Sequence, residues 1–402
     1  MSGYLLLTGS TGLLGRYLVR DLLERGEKLA LIVRGTKQES AEERVESILQ
    51  FWEQQSGKRF SRPHLIQGDL RRPLLGLGEK EIAWVSKNCR AVMHSAASLK
   101  FHGDGSGEPA LTNIGGSENM LSLCQRAKVR ELHYVSTAYV CGLRDGTIYE
   151  SDLDFGQSFR NDYESSKHQA ETIVRNADYI DRLTVYRPAV ISGDSQSGYT
   201  NTYHGIYLYL RLMALLVPRH PIGPDGLRQT PLRLPMTGQE RRNVVPIDWV
   251  SRVMAELYIN PEAHGCTFHL APEKCLTPKM IIDSGYSYFH STGIEYVGYT
   301  HIDPATYNAF EMAMLPGLAM YSNYENTDPT FDCSNVKQFA GHVRCPEIDE
   351  AMLHTYIRFG EADRWGKRKA RKSPAPKEHP PDRILAYSLS DHASNADSNA
   401  VL

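Results

Sequence analysis

The feature that most constrains this 402-residue chain is a glycine-rich loop between an apolar strand and an amphipathic helix. Residues 4–7 are apolar, and the run GSTGLLG at 9–15 follows almost at once. Leu14, Leu18 and Leu22 then recur on one helical face. A glycine loop in this setting is typical of the first strand, turn and helix of a dinucleotide-binding domain.

Each glycine of the loop has an expected task. Gly9 permits the tight turn, Gly12 lets the backbone approach a pyrophosphate, and Gly15 allows the helix to pack closely on the strand. The unpaired N–H groups at the helix N-terminus then face the phosphates. The expected loop contacts to the cofactor are Thr8, Gly9, Ser10, Thr11, Gly12, Leu13, Leu14 and Gly15.

The first half of the chain alternates short apolar strands with amphipathic helices. The predicted strands are residues 4–7, 29–33, 64–67, 91–94, 132–136 and 183–186, and two of the predicted helices are residues 119–128 and 165–176. Because strands joined by helices pair in parallel, we predict an α/β fold with a doubly wound parallel sheet of Rossmann type.

The chain divides into three predicted parts. We expect residues 1–192 to form the dinucleotide-binding Rossmann domain with the catalytic residues, and residues 193–362 to form a smaller, loop-rich substrate region. Within that region residues 218–235 are expected to be ordered loop, while a helix at 244–258 and a strand at 267–271 return to the main body.

A basic and polar tail is predicted for residues 363–402. It contains the run KRKARK at 367–372 followed by many Pro, Ser and Asn residues. Its apolar content is too low for it to fold alone, so we expect a disordered, solvated end. An electrostatic contact with a partner or a membrane surface is the alternative.

The composition of the chain argues against several kinds of partner, site and segment. A net charge of −2 gives no case for a nucleic-acid partner. Seven scattered cysteines without CxxC spacing fit a reducing, cytoplasmic location, and the absence of metal-ligand spacing predicts no metal. The longest apolar stretch, residues 206–217, is broken by Arg211 and is shorter than the roughly 18 residues of a membrane span, so no transmembrane segment is expected.

The end of the second predicted strand favours NADPH over NADH. An NAD enzyme places a carboxylate there for the ribose 2′-hydroxyl, but this strand ends in Arg34, whose guanidinium would bind a 2′-phosphate. Asp69 closes the third strand, and two interpretations stay open for it. Its carboxylate accepts from the adenine amino group, or it caps the following turn.

Catalytic chemistry is indicated by Tyr163 and Lys167, which lie four residues apart on one helical face. The lysine cation, with the positive nicotinamide of the oxidised cofactor, is expected to lower the tyrosine pKa and so make the phenol a usable acid. The fifth strand ends in Ser136 and Thr137, whose hydroxyls are candidates to stabilise a developing oxyanion.

These residues resemble the extended short-chain dehydrogenases. The resemblance rests on the glycine loop, Ser136 and Thr137, Tyr163, Lys167 and the run YRP at 186–188. It narrows to fatty acyl reductases and thioester reductase domains through four further segments: GDL at 68–70 with PLLGL at 73–77, HSAASLKF at 94–101, VSTAYV at 135–140, and residues 161–171. Together these segments cover roughly residues 1–270.

The resemblance assigns roles residue by residue. Thr137 matches the catalytic hydroxyl, Tyr163 the general acid, and Lys167 the residue that lowers the tyrosine pKa and holds the nicotinamide ribose. Pro188 and Ile191 match backbone contacts to the carboxamide. Beyond the loop, the expected cofactor contacts are Arg34, Asp69, Leu70, Ala96, Ala97, Asn113, Tyr163, Lys167, Pro188 and Ile191.

The resemblance implies NADPH-dependent reduction of an acyl thioester, on coenzyme A or an acyl carrier protein, to an aldehyde, with further reduction to the alcohol left open. An NAD(P)-dependent epimerase or a 3β-hydroxysteroid-type dehydrogenase would keep the same catalytic residues. A non-catalytic cofactor-sensing protein is the third alternative, although such proteins commonly lose the tyrosine or the lysine.

The substrate region is harder to interpret. After Gly193 the family pattern is difficult to follow, so the acyl chain is not predicted. The apolar residues 206–217 are expected to be plain core, with an acyl channel or a membrane-surface helix as alternatives. The carrier, adenylation and membrane segments that often accompany such domains are not found, so we expect the chain to act in trans.

Overall fold

The computed structural model describes residues 3–103, 105–318 and 327–367. The strands are β1 (Tyr4–Thr8), β2 (Leu29–Val33), β3 (His64–Gln67), β4 (Cys89–His94), β5 (Glu131–Val135), β6 (Thr147–Ile148), β7 (Arg182–Pro188), β8 (Val190–Ser192), β9 (Arg228–Leu234), β10 (Val244–Pro246), β11 (Thr267–Leu270), β12 (Ser291–Tyr296) and β13 (Thr330–Phe331).

The α-helices alternate with these strands. They are α1 (Leu13–Glu24), α2 (Ala41–Ser56), α3 (Glu79–Asn88), α4 (Gly116–Ala127), α5 (Asp162–Arg175), α6 (Ile206–Leu216), α7 (Ile247–Ile259), α8 (Pro278–Tyr288), α9 (Ala309–Leu318), α10 (Ser334–Ala340) and α11 (Glu350–Ala362). Short 3₁₀ turns occur at Pro73–Gly76, Ala138–Cys141, Val217–Arg219, Pro261–Ala263, Pro304–Thr306 and Arg364–Gly366, and a π-helical turn at Leu111–Gly115.

Within the described ranges, seven strands form one parallel sheet in the order β11-β7-β5-β4-β1-β2-β3. Successive pairs are all parallel, as in the register Leu6 to Ala30 and Leu6 to Val92. The predicted doubly wound sheet is therefore confirmed. The strand order reverses between β1 and β4, and a crevice at the carboxyl ends of strands beside such a switch point is where α/β sheets bind ligands.

Helices cover both faces of the sheet. Leu5 and Leu7 of β1 pack into a core with α1, α2 and α7, whereas Leu6 faces the opposite core with α3, α4 and α5. Alternate side chains of one strand thus bury against different helical layers, which explains why the strands are apolar throughout.

Beyond β8 the chain builds a second core around α6, α8, α9 and α11. Here the expectation of loop at 218–235 is wrong in part, because β9 pairs in parallel with β12. Pro231 explains why this strand was not predicted, since proline within sheets is largely confined to edge strands, the first residue of a strand and bulges.

The predicted helix at 244–258 begins as strand β10, and α7 starts at Ile247. β11 is the predicted returning strand and lies at the edge of the main sheet.

The α6 segment contributes Ile206, Tyr207, Leu210 and Met213 to the second core.

At the start of the predicted tail, Arg364–Gly366 form a turn in which Trp365 is buried. The remainder of that prediction, residues 368–402, lies outside the described residues. No helix within the described ranges combines the length and apolar character that crossing a membrane requires.

Candidate active site

The glycine loop is tightly packed against the neighbouring strand end. Gly9 has a φ of +76°, and a Cβ on it would lie 2.7 Å from the Ala96 nitrogen. A Cβ on Gly15 would lie 2.0 Å from the Gly9 carbonyl oxygen, closer than any real contact. The turn is closed by a 3.0 Å hydrogen bond from Gly12 N to Gly9 O. The loop therefore requires glycine at 9 and 15, as the sequence predicted for a phosphate-binding turn.

The residues present fit a pyrophosphate. Helix α1 begins at Leu13 with Gly12 as N-cap and no side-chain cap, so its first N–H groups are not used by a capping side chain. The Ser10 hydroxyl is buried and has no hydrogen-bond partner among the described residues. Donors of this kind at a helix N-terminus suit an anionic ligand.

A group of cations surrounds the outer edge of the loop. Arg44, on α2, donates to the Arg34 carbonyl oxygen at 2.5 Å and to the Thr11 hydroxyl at 3.0 Å. Burial lowers the pKa of Arg44, and the nearby Arg34 and Arg16 cations lower it further, against the opposing effect of Glu39. Mutually repelling guanidiniums at a cofactor loop are compensated by an anion bound between them. The sequence analysis identified Arg34 but missed Arg44.

Asp69 caps its turn, which is one of its two predicted roles. Its carboxylate accepts from the Arg71 backbone N at 3.1 Å and from the Arg71 guanidinium at 2.7 and 3.1 Å. These hydrogen bonds hold the pKa of Asp69 at about 2. Arg34 lies 3.7 Å from the same carboxylate. The adjacent Leu70 carbonyl accepts from Asn119 at 2.8 Å, which ties this strand end to α4.

The segment after β4 is held by Asn113. Its side chain accepts from Ser98 N at 2.7 Å and donates to Ser98 O at 3.1 Å and to the Ser166 hydroxyl at 2.9 Å. Ala96 lies at the start of this segment, where its N–H donates to the Thr8 hydroxyl at 3.3 Å, and Ala97 follows it. Asn113 therefore joins the loop beside Gly9 to α5, one residue before Lys167.

Tyr163 lies in the first turn of α5, which the Asn161 side chain caps at Glu164 N. The Thr137 side chain lies near enough to the Tyr163 hydroxyl to influence the pKa of that phenol. Burial raises the pKa of Tyr163 well above its ordinary value, and the nearby Thr137 hydroxyl offsets only part of that rise. The phenol is therefore protonated at neutral pH and is available as a proton donor.

Lys167 lies one helical turn later but contacts a different tyrosine. Its ammonium donates to the Tyr134 hydroxyl at 3.1 Å and to the Val135 carbonyl oxygen at 2.8 Å. Burial lowers the pKa of Lys167 to about 8. Burial sets the direction of the Tyr163 pKa in the structure, and the expectation that Lys167 together with an oxidised nicotinamide lowers that pKa stays a prediction. Tyr134 was not identified from the sequence.

The two hydroxyls at the end of β5 are separated. Thr137 faces Tyr163 and also lies 3.4 Å from the Pro188 carbonyl oxygen. Ser136, in contrast, lies near the buried carboxylate of Glu171, and its buried hydroxyl makes no hydrogen bond of acceptable geometry with the described residues. Of the two predicted catalytic hydroxyls, the structure brings only Thr137 to the tyrosine.

Glu171 belongs to a buried ion pair behind the site. The Arg187 guanidinium donates to Glu171 at 2.6 Å, and both side chains are fully buried. Burial alone would raise the pKa of Glu171, but Arg187 lowers it to about 2. Because Pro188 follows Arg187 directly and Ile191 lies in β8, this pair positions the backbone at which carboxamide contacts were predicted.

Comparison with known proteins agrees with this geometry. Residues 7–254 match the sequence profile of an NAD-binding family described as male sterility protein. The nonribosomal peptide synthetase asaC of Aspergillus flavus is 27% identical over 67% of this chain and 26% of its own length. The aldehyde reductase lnaA of the same organism is 24% identical over 89% of this chain and 36% of its own. The chain thus spans about a third or less of these curated relatives.

Solved structures show the same architecture. The terminal R domain from the myxalamid PKS-NRPS biosynthetic pathway is 25% identical, with a TM-score of 0.70 over 91% of this chain and 92% of that one. A UDP-glucuronic acid 4-epimerase from Bacillus cereus in complex with NAD shares the fold at 15% identity and a TM-score of 0.61, over 90% and 98% of the two chains. With the family profile covering more than half of its length, the chain belongs to the male sterility protein family of NAD-binding domains, which confirms the predicted family.

Proposed function

We propose that this protein is an oxidoreductase that uses NADPH to reduce an acyl thioester to an aldehyde. The observation that carries the proposal is that the Thr137 hydroxyl faces the Tyr163 phenol at the carboxyl end of β5, in a fold with a dinucleotide loop. Relatives named as an aldehyde reductase and as a terminal R domain support the direction and the substrate class.

The chemistry follows from these two hydroxyls. When bound, a reduced nicotinamide supplies hydride to the thioester carbonyl carbon. Thr137 and Tyr163 hold the carbonyl oxygen and stabilise the negative charge that develops on it. When the carbonyl re-forms, the thiolate leaves with the electron pair of the C–S bond and takes up a proton, and the aldehyde remains. In a second reduction Tyr163 would protonate the alkoxide to give the alcohol.

NADPH is proposed over NADH because of the arginine group. Arg34 and Arg44 lie beside the loop, where we expect the adenosine ribose of a dinucleotide to bind, and the Arg44 cation is already destabilised by burial and by its cationic neighbours. A 2′-phosphate between these side chains would relieve that repulsion. NADH offers only a hydroxyl at this position.

A carrier-bound thioester is the proposed form of the substrate. Several relatives are peptide synthetases, and one structural neighbour is described as a thiolation-reductase di-domain, with a TM-score of 0.69 at 19% identity. An acyl group on coenzyme A presents the same reacting atoms and is the alternative form of the substrate.

The test is NADPH consumption against matched acyl-carrier and acyl-CoA thioesters, with products separated as aldehyde and alcohol. We expect oxidation of NADPH with thioesters, aldehyde as the first product, and faster turnover with the carrier-bound series. Turnover of free secondary alcohols or sugars with NAD, without any thioester reduction, would instead support a dehydrogenase or epimerase.

A further inference from the structure

A cluster of two histidines and one glutamate lies at the opposite end of the sheet from the catalytic residues. Glu131 begins β5 and His133 follows on the same face of that strand, while His264 lies in the connection that precedes β11. Glu131 Oε1 is 3.2 Å from His133 Nε2 and 2.8 Å from His264 Nδ1. The three ligand atoms all lie within 4.8 Å of one another.

This spacing fits a tetrahedral metal site. With metal–ligand bonds of about 2.0–2.1 Å, two ligands of a tetrahedral ion are roughly 3.3 Å apart. The cluster is also secluded, since the exposed fractions of the side chains are 0% for His133, 4% for His264 and 26% for Glu131. Only the glutamate leaves a route from solvent to the cluster.

The outer nitrogens of both imidazoles already have partners. His264 Nε2 lies 2.8 Å from the Tyr258 carbonyl oxygen, which can only accept, so Nε2 carries the proton and neutral His264 presents a bare Nδ1 to the cluster. That buried Nδ1 has no hydrogen bond of acceptable geometry with any described residue, although a carboxylate oxygen is nearby. A bare nitrogen facing a carboxylate oxygen is repulsive unless a cation lies between them.

His133 differs in one respect, because its Nε2 lies 3.2 Å from Glu131 Oε1 in hydrogen-bonding geometry. Its Nδ1 is 3.0 Å from the Tyr186 hydroxyl, which is able to accept an Nδ1 proton when a metal takes the place of the proton at Nε2. The other Glu131 oxygen lies 3.9 Å from Arg182. Metal-binding histidines and carboxylates typically have outer partners of this kind, which fix the tautomer and the orientation of each ligand.

We propose that Glu131, His133 and His264 bind a divalent transition metal, for which Zn²⁺ is the best chemical match, with water as the fourth ligand. The N₂O donor set is one that zinc favours. Because the cluster joins the start of β5 to the connection before β11, the metal would stabilise this edge of the sheet and take no part in the reduction. Spacing along the chain predicted no metal, since His264 joins the other two residues only in the fold.

The proposal is tested by titrating chelator-treated protein, kept reduced with a phosphine, with Zn²⁺ alone. We expect the wild type to bind one equivalent that is absent from Glu131→Gln and His264→Gln, or at least tenfold weaker in them, and to gain several degrees in Tm. His342→Gln is the matched control, because His342 is exposed and pairs with Glu256 at 3.5 Å. It should bind as the wild type does.

Co²⁺ provides a second readout, since a tetrahedral site gives visible absorption that an imidazolium–carboxylate pair does not. Wild type should show this spectrum and both cluster variants should lose it. Equal Zn²⁺ affinity and stoichiometry in the wild type and in a folded cluster variant would overturn the proposal. So would a Tm that does not respond to Zn²⁺, which would indicate an ion pair only.

Discussion

Lys167 and Tyr134 are joined by a 3.1 Å hydrogen bond from the ammonium to the phenol oxygen. The lysine is fully enclosed, and its second partner is the Val135 carbonyl oxygen at 2.8 Å. Burial lowers the Lys167 pKa from 10.5 to about 8, against the opposing effect of Glu171, so its charge near neutral pH is sensitive to the groups around it. Tyr134 is therefore a positioning residue for the lysine that is expected to hold the nicotinamide ribose.

This pair predicts an alkaline limit to cofactor use. As pH rises through about 8, Lys167 loses its proton and its interaction with the cofactor weakens, so kcat/KM for NADPH should fall. In Tyr134→Phe the ammonium has one acceptor fewer, which lowers its pKa. The decrease of kcat/KM with rising pH should therefore begin at a lower pH. Tyr299→Phe, at an exposed tyrosine, is the control and should keep the wild-type profile. If kcat/KM falls at the same pH in Tyr134→Phe as in the wild type, Tyr134 does not position Lys167 as assigned.

The separation of Thr137 from Ser136 predicts unequal effects of two similar substitutions. Thr137→Ala removes a donor to the oxyanion and should reduce kcat by about 10²- to 10³-fold, whereas Thr137→Ser should retain most activity. Ser136→Ala should leave kcat within a few-fold of wild type, because its hydroxyl faces Glu171. Steady-state rates for the three variants check this, and a larger loss in Ser136→Ala than in Thr137→Ala would reverse the assignment.

The arginine group predicts the basis of cofactor choice. Arg34→Ala and Arg44→Ala should each weaken NADPH binding by roughly 10- to 150-fold, the value of a hydrogen bond to a charged group. NADH binding should change little, because NADH lacks the 2′-phosphate. Fluorescence titration with both cofactors measures the ratio, with the exposed Arg59→Ala as control. Equal losses of affinity for NADPH and NADH would show that the arginines support only the fold of the loop.

Two glycines that differ in their surroundings test the packing of the loop. Gly15→Ala places a Cβ 2.0 Å from a backbone oxygen, so the loop must shift, at a cost of about 1–3 kcal/mol in the free energy of unfolding. Cofactor binding should weaken with it. A Cβ on Gly115, in a helical conformation, meets nothing within 4 Å, so Gly115→Ala should be neutral or slightly stabilising. Denaturant melts of the two variants provide the comparison.

Much of the fold was predictable because its signals are local. Strands β2 and β3 coincide with the predicted residues, and β4 begins only two residues earlier than predicted. The glycine loop was recognised because its neighbours in sequence are its neighbours in space. β9 was missed because Pro231 breaks the strand pattern and its partner, β12, is distant in sequence.

The site residues that were missed depend on contacts across the chain. Arg44 approaches Thr11 only because α2 lies beside the loop, although the capping box formed by Ser40 and Glu43 marks the start of that helix in the sequence. Tyr134 resembles a core residue of a buried strand, and only the fold directs Lys167 towards it. The sequence also does not show that Ser136 and Thr137 face different partners.

The central claim, that Tyr163 and Thr137 promote thioester reduction, is tested most directly by coupling NADPH oxidation to aldehyde release. With a carrier-bound acyl thioester, wild type should release about one aldehyde per NADPH in the first turnover. Tyr163→Phe should lower kcat by roughly 10²- to 10⁴-fold while still binding NADPH. Unchanged turnover in Tyr163→Phe, or NADPH oxidation without loss of the thioester, would contradict the account.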